Sequence, residues 1–286
     1  MFRGKIVIAP GFNCNFNCAH CANAFQKRKK LSPSEISTLV STINDRGIRR
    51  VHFIGGEPTL YLKEIREIIG GIKNRSGLRV SITTNGSFAK SRQGAVSVLS
   101  LIPALCKVQL SYDRFHAPFL PPAYVKNLVS ASRALGIKFS VLCAVQTPVD
   151  MLVATSLRKL GRFPVVIQRV LPQGAAAASG AAYSCYGDFE RNALKRVCPD
   201  RNNIVYFCGK GFTLCCSSLV LNLGLKGICH KSAGRLFNSK FYKLMRDFNF
   251  GELMEEMGAP KAGLKGAHSS VCNLCEYIFT SGKVRL

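Results

Sequence analysis

The sequence has no tryptophan, only 15 acidic residues against 40 lysines and arginines, and no long apolar run. A bilayer span needs ~20 consecutive apolar residues, and the best stretch, residues 96–106, is broken by Ser97, Ser100 and Pro103. With no tryptophan and 9% aromatic residues, no obvious platform exists for stacking nucleic-acid bases. The shortage of acids leaves a formal charge of +25. Such a surface repels cations and attracts acidic peptides, nucleic acid, phosphates or anionic lipid. Charged residues make up 19% and apolar ones 47%, which excludes a disordered chain or a coiled coil. Nothing near Met1 resembles an export signal, the only apolar run there being residues 6–9.

What the sequence has in abundance is cysteine. Thirteen is an odd number, and 286 residues are too many for a disulfide-stapled mini-domain. The chain is therefore expected in a reducing cytoplasm, where clustered cysteines mean metal or redox chemistry. Its length is about twice the ~150 residues of one domain, enough for a large α/β domain or a medium one with an appendage.

From residue 5 to 170, short apolar strands alternate with amphipathic helices. Strands are predicted at residues 5–9, 50–54, 79–84, 108–112, 139–145 and 164–170. Ser32-Pro33-Ser34-Glu35 offers a capping box with proline at the first helical position, starting a helix to about Asp45 that Gly47 stops. Another helix runs through Leu60, Ile65, Ile68 and Ile69, and a third spans 122–135. This alternation implies parallel strands with right-handed crossovers. The fold expected is α/β, a partial (β/α)6 TIM-like barrel whose function lies on the loops after each strand. At Pro172 the texture changes to an alanine-rich bridge. The expected division is a barrel at 1–172 and a small C-terminal auxiliary-cluster domain at 173–286.

Just after the first strand come Cys14, Cys18 and Cys21. Cys-x3-Cys-x2-Cys wraps three thiolates around one face of a [4Fe–4S] cube and leaves one iron open. A zinc knuckle is the alternative, but His20, wedged between ligands, cannot close a tetrahedron. These three cysteines resemble the signature of the radical S-adenosylmethionine (SAM) enzymes. Gly55-Gly56-Glu57-Pro58 after the second strand, Thr83-Thr84-Asn85-Gly86 after the third and Ser111-Tyr112-Asp113 at the end of the fourth match that family's further motifs, in order.

The resemblance implies that the open iron chelates SAM through its amino and carboxylate groups. Reductive cleavage then yields methionine and a 5′-deoxyadenosyl radical. Gly55, Gly56 and Glu57 would meet the SAM amino group, with Thr84, Asn85, Ser111 and Asp113 as further cofactor contacts. His20 takes the position that flanks the adenine, and Arg169 is a candidate for a SAM or substrate carboxylate.

In the C-terminal region, Cys272-x2-Cys275 is a metal-ligand pair that needs two partners. Together with Cys198 and Cys215 it resembles the single auxiliary [4Fe–4S] cluster of a twitch or reduced SPASM appendage. Zinc is the competing metal, and Cys208 the competing ligand to Cys198. Cys216 would then be a free thiol beside the cluster, a good hydrogen-atom donor to a carbon radical. This pairing, with residues 111–119, resembles the radical SAM peptide epimerases that convert L- to D-residues in ribosomally made peptides. The likeness implies a precursor peptide as partner, an acidic one suiting the basic charge, and an electron donor of flavodoxin or ferredoxin type. Thioether or carbon–carbon crosslinking of a peptide is one alternative, and modification of RNA or a nucleotide is another. One departure is clear: those epimerases carry an Asp-Gly turn before the paired cysteines, where this chain has Cys208-Gly209-Lys210-Gly211. Lys27-Arg28-Lys29-Lys30 reads as a solvated run or as a site for an acidic partner. Cys106 and Cys143 read as packing residues.

Overall fold

A computed structural model describes residues 4–284 and Leu286. Six parallel strands, β1 (Ile6–Ala9), β2 (Arg50–Phe53), β3 (Arg79–Thr84), β4 (Leu105–Ser111), β5 (Lys138–Val145) and β6 (Val165–Arg169), follow one another across the sheet. Helices α1 (Pro33–Asp45), α2 (Leu62–Gly70), α3 (Arg92–Ser100), α4 (Pro122–Ala134) and α5 (Met151–Leu157) make the crossovers between them. This is the partial barrel expected. α1 starts as the sequence predicts, with the Ser32–Glu35 capping box formed and Pro33 in the first turn. The fourth strand begins three residues earlier than expected, at Leu105. Lys107 interrupts the apolar pattern there, but the strand is held by backbone pairing to β3 and β5, which is indifferent to side-chain polarity.

Beyond the barrel, the alanine-rich bridge orders as the short helix α6 (Ala175–Ser179). β7 (Ile204–Phe207) then pairs parallel with β1, and β8 (Gly211–Thr213) pairs antiparallel with β7. The sheet order is β6-β5-β4-β3-β2-β1-β7-β8. Five helices follow: α7 (Ser218–Leu221), α8 (Ala233–Asn238), α9 (Lys240–Asp247), α10 (Phe250–Glu256) and α11 (Val271–Ser281).

β1 is apolar at every position because both of its faces are covered. Ile6 and Ile8 pack in the core shared with α1 and α2, while Val7 and Ala9 pack with Val205, Phe207 and the C-terminal helices. The three-cysteine loop thus leaves a strand fixed from both sides.

Below the site, His52 on β2 lies 2.7 Å from Ser81 Oγ and 3.1 Å from Thr83 Oγ1. Burial holds its imidazole down to about 4, with Lys5 and Lys107 adding to the effect. An unfolded histidine titrates near ~6.5, so the folded pKa is the lower one. The stability from keeping His52 neutral is therefore full above that pH and is lost as pH falls towards 4, by at most about 3 kcal/mol. Urea midpoints at pH 7 and pH 4.5 should differ more for the wild type than for His52→Gln. Equal differences would clear His52 of this role.

Candidate active site

The loop after β1 is held by backbone contacts to the loop after β2. Gly56 N donates to Gly11 O (3.1 Å), Glu57 N to Asn13 O (2.8 Å) and Asn13 N to the Tyr61 hydroxyl (2.6 Å). The glycines are required by this approach. A Cβ on Gly55 would lie 2.4 Å from Gly11 O and one on Gly56 2.1 Å from Asn13 O, and Gly55 has φ +134°. Gly55 and Gly56 therefore set how closely the cysteine loop seats on the barrel, besides bordering the space beside it.

That space is a cavity of about 330 Å³ at the C-terminal ends of the strands. Cys14, Cys18 and Cys21 line it together with His20, Gly55, Gly56, Thr84, Asn85, Ser111, Asp113, Arg169 and Cys216. Of the cofactor-contact residues expected from the sequence, only Glu57 is not in the wall. Its carboxylate is fully buried and accepts from Thr59 N (3.1 Å), Thr59 Oγ1 (2.7 Å), Thr84 Oγ1 (2.7 Å) and Asn85 N (2.8 Å). Glu57 thus stands behind the wall and braces the residues that form it. Asn85 in turn reaches Asn15 Oδ1 at 2.9 Å and lies 3.5 Å from the Cys14 sulfur.

Asp113 organises the opposite side. It is buried and accepts from Phe115 N (2.9 Å), His116 N (3.1 Å) and Ala144 N (3.2 Å), with His116 Nδ1 at 2.9 Å. Against the upward push of burial, the His116 hydrogen bond and charge hold its carboxyl below the usual range. His20 Nε2 is 3.6 Å from the same carboxylate, and its ring stacks on Phe115 at 4.5 Å. Burial holds His20 down to about 4, so it presents a neutral ring to the cavity at pH 7.

The three thiols fit a metal centre better than they fit free cysteines. Burial pushes each of them up, Cys18 to about 12 with Cys21 and Asp113 adding to the effect, and no cation among the described residues relieves them. A cationic iron centre would. Two buried polar atoms at the same loop, His20 Nδ1 and Asn23 Oδ1, have no hydrogen-bond partner. Both residues line the cavity, as a polar ligand there would require.

A second, smaller cavity of about 40 Å³ lies under the C-terminal helices. Cys198, Cys215, Cys272 and Cys275 border it, and Cys208 does not; Cys208 packs instead in the main core. Cys272 and Cys275, three apart on α11, share one helix face. Burial pushes Cys198 up to about 11 and Cys215 to about 12, and it raises Cys272 and Cys275 too. This again is a donor set suited to a metal group. Single-ion coordination by thiolates at ~2.3 Å needs all donors close together. Among the described residues, the one set of three or more ligating atoms within 4.8 Å of each other is Cys18, His20 and His116.

Cys216 borders both cavities. Its side chain is open to the cavity yet lies deep in the molecule. The thiol donates to Asp200 Oδ2 at 3.0 Å. Burial, then Asp200, raises its pKa well above that of a free cysteine, so it stays S–H at neutral pH. Sequence reasoning missed Asp200, although Cys198-Pro199-Asp200 placed an acid two residues from a candidate ligand. It also missed Gln173, which is buried in the cavity wall and bonded to Ser217 Oγ (3.2 Å), because the bridge around it reads as featureless.

A partial barrel with three loop cysteines in a cavity at its strand ends defines a class of cluster-bearing α/β enzyme folds. Residues 8–103, about a third of the chain, match the Radical SAM superfamily. The chain is similar to the GTP 3′,8-cyclase of Aquifex aeolicus (strain VF5), 32% identical over 136 residues, 45% of this chain and 39% of that protein. It is also similar to the putative peptide biosynthesis protein YydG of Bacillus subtilis (strain 168), 27% identical over 141 residues, 46% of this chain and 43% of that one. These matches span less than half the length of either relative. Among solved structures, native anSMEcpe with bound AdoMet and Cp18Cys peptide is similar in fold. Its TM-score is 0.60 at 14% identity, over 97% of this chain and 96% of that chain. No helix among the described residues is long and apolar enough to cross a membrane.

Proposed function

We propose that the protein is a radical SAM peptide epimerase, converting an L-residue of a ribosomally made peptide to the D form in a reducing cytoplasm. The observation that carries this is Cys216, a protonated thiol that opens onto the cavity of the three cysteines while bordering the pocket of the other four.

In this reading Cys14, Cys18 and Cys21 hold a [4Fe–4S] cluster with an open iron in the barrel (1–172), and Cys198, Cys215, Cys272 and Cys275 hold an auxiliary one in the remainder (173–286). Reduced by an external electron donor of flavodoxin or ferredoxin type, the cluster held by Cys14, Cys18 and Cys21 would supply the electron for cleaving SAM to methionine and a 5′-deoxyadenosyl radical. Gly55, Gly56, Thr84, Asn85, Ser111 and Asp113 orient SAM, the neutral His20 ring flanks its adenine, and Arg169 takes a carboxylate. The wall residues keep water and stray hydrogen donors from the radical. The peptide Cα–H bond breaks homolytically, its hydrogen leaving in 5′-deoxyadenosine. The S–H bond of Cys216 then breaks and a new Cα–H bond forms on the opposite face. One electron from the same external donor, passed by way of the auxiliary cluster, and one proton from solvent would return the resulting thiyl to thiol.

Because the thiol exchanges with solvent, turnover in D2O is expected to put one deuteron on the inverted Cα, and Cys216→Ala is expected to abolish this. Mass spectrometry with chiral amino-acid analysis reads both. Product without solvent deuterium would refute epimerisation; a product short of a pair of hydrogens would mark a crosslink instead. The similarity to GTP 3′,8-cyclase favours a second reading, a nucleotide substrate. Turnover of GTP, and of no peptide, would support it.

A further inference from the structure

The sheet has two edges; at the β6 edge the rings of Tyr183 and Tyr186 lie against the Arg169 guanidinium (4.7 and 5.4 Å), and Val166 to Gln168 are exposed. β8 is three residues long, and Phe212 and His230 exchange both backbone hydrogen bonds at 2.8 Å. β6 pairs with β5 alone. Pro164 O accepts from Val141 N (2.9 Å), and Val170 N donates to Val145 O (3.0 Å). The alternation of a parallel ladder between these two bonds turns the backbone groups of Val166 and Gln168 towards β5. It leaves the N–H and C=O of Val165, Ile167 and Arg169 facing outward. Among the described residues these groups bond to no other element.

Natural edge strands are usually shielded by proline, lysine, a bulge or brevity. Residues 165–168, Val-Val-Ile-Gln, carry none of these, and Val166 and Ile167 are 45% and 38% exposed. The strand ends at the catalytic cavity, whose wall includes Gln168 and Arg169. In the turn that precedes it, Arg158, Lys159 and Arg162 form no ion pair among the described residues.

We propose that the β6 edge is a strand-addition site for an extended acidic peptide, which it delivers to the cavity. The peptide is the substrate of the reading above, on which this proposal rests. Main-chain bonds to Val165, Ile167 and Arg169 would hold the peptide backbone, and the side-chain face that carries its acids would fix the register. The basic turn would meet its acidic side chains, and the strand would present successive Cα atoms at the cavity mouth. A second copy of this chain is a poorer occupant, since antiparallel pairing of two β6 edges would bring the basic turn of one against Arg169 of the other.

The test uses anaerobic full-length protein and a fluorescein-labelled synthetic peptide of alternating glutamate and valine, with binding read by anisotropy. Two isomers are compared, N-methylated on every valine or on every glutamate. Because a strand turns alternate N–H groups to opposite sides, one isomer should bind about tenfold more weakly and the other nearly as the parent. Ile167→Pro, which removes an outward donor, should weaken the parent peptide by a similar factor, and Ile167→Ala should not. No binding, equal affinity of both isomers, or a dimer that Ile167→Pro dissolves in sedimentation would overturn the proposal. Wild-type protein alone, with the two isomers, decides the matter if Ile167→Pro fails to fold. D2O turnover separates the two ideas. Deuterium gain without isomer discrimination refutes strand addition only, and discrimination without deuterium gain refutes epimerisation only.

Discussion

Changing Cys14, Cys18 and Cys21 together to alanine is expected to leave a folded protein that holds about half the parent's iron after anaerobic reconstitution and cleaves no SAM. The loop should stay folded because its shortest fastenings involve no thiol; the Cys14 sulfur takes only the longer contacts from Phe16 N (3.4 Å) and Asn85 Nδ2 (3.5 Å). It is fastened by Gly56 N on Gly11 O, Glu57 N on Asn13 O and Asn13 N on Tyr61. Half the iron should remain because Cys198, Cys215, Cys272 and Cys275 surround a separate cavity. Iron and sulfide per chain, circular dichroism, and methionine release from SAM check the three parts separately. Retention of all the iron would move the cluster away from this loop. Loss of all of it would mean that the C-terminal cysteines hold none.

What was legible in the sequence follows the range of the interactions. Local patterns were read well: the Ser32–Glu35 capping box, the alternation of β3, and the three-cysteine spacing are set by neighbours along the chain. The continuous apolar run of β1 gave a strand but not its second partner. That Val7 and Ala9 face a second core and that β7 pairs beside them depends on residues two hundred positions away. The C-terminal cysteines divide in the same way. Cys272 and Cys275 share a helix face and announce each other, whereas Cys198 and Cys215 reach them only through the fold.

Glu57 is the instructive case. The motif marks an acid at the site, and the sequence suggests that it faces the cofactor. The structure turns it inward, where four donors satisfy it. Motif position told where the residue sits, and only the hydrogen-bond accounting told which way it works. Asp200 follows the same logic, since only the fold brings it from another loop to the Cys216 thiol, 3.0 Å away.

Glu57→Ala is accordingly expected to cost about 3–5 kcal/mol of stability and to abolish SAM binding at the same time. Truncation strands the backbone N–H groups of Thr59 and Asn85 and the hydroxyls of Thr59 and Thr84 around a void, and each stranded buried donor costs about 1–3 kcal/mol. The sum stays below the simple total for two reasons. Burial raises the pKa of Glu57, so its removal recovers a desolvation penalty, and the threonine hydroxyls can rotate to new acceptors. The loss should reach the site because Thr84 and Asn85 form its wall and Asn85 ties that wall to Cys14 and Asn15. Glu57→Gln keeps the volume and one acceptor oxygen but turns an NH2 group towards existing donors, so it should fall between the two. Urea unfolding of the cluster-free protein measures the first effect, and equilibrium dialysis of SAM on the reconstituted protein the second. An unchanged midpoint for Glu57→Ala would mean that the cavity wall stands without its brace. Weakened SAM binding at that unchanged midpoint would return Glu57 to the cofactor-facing role that the motif suggests.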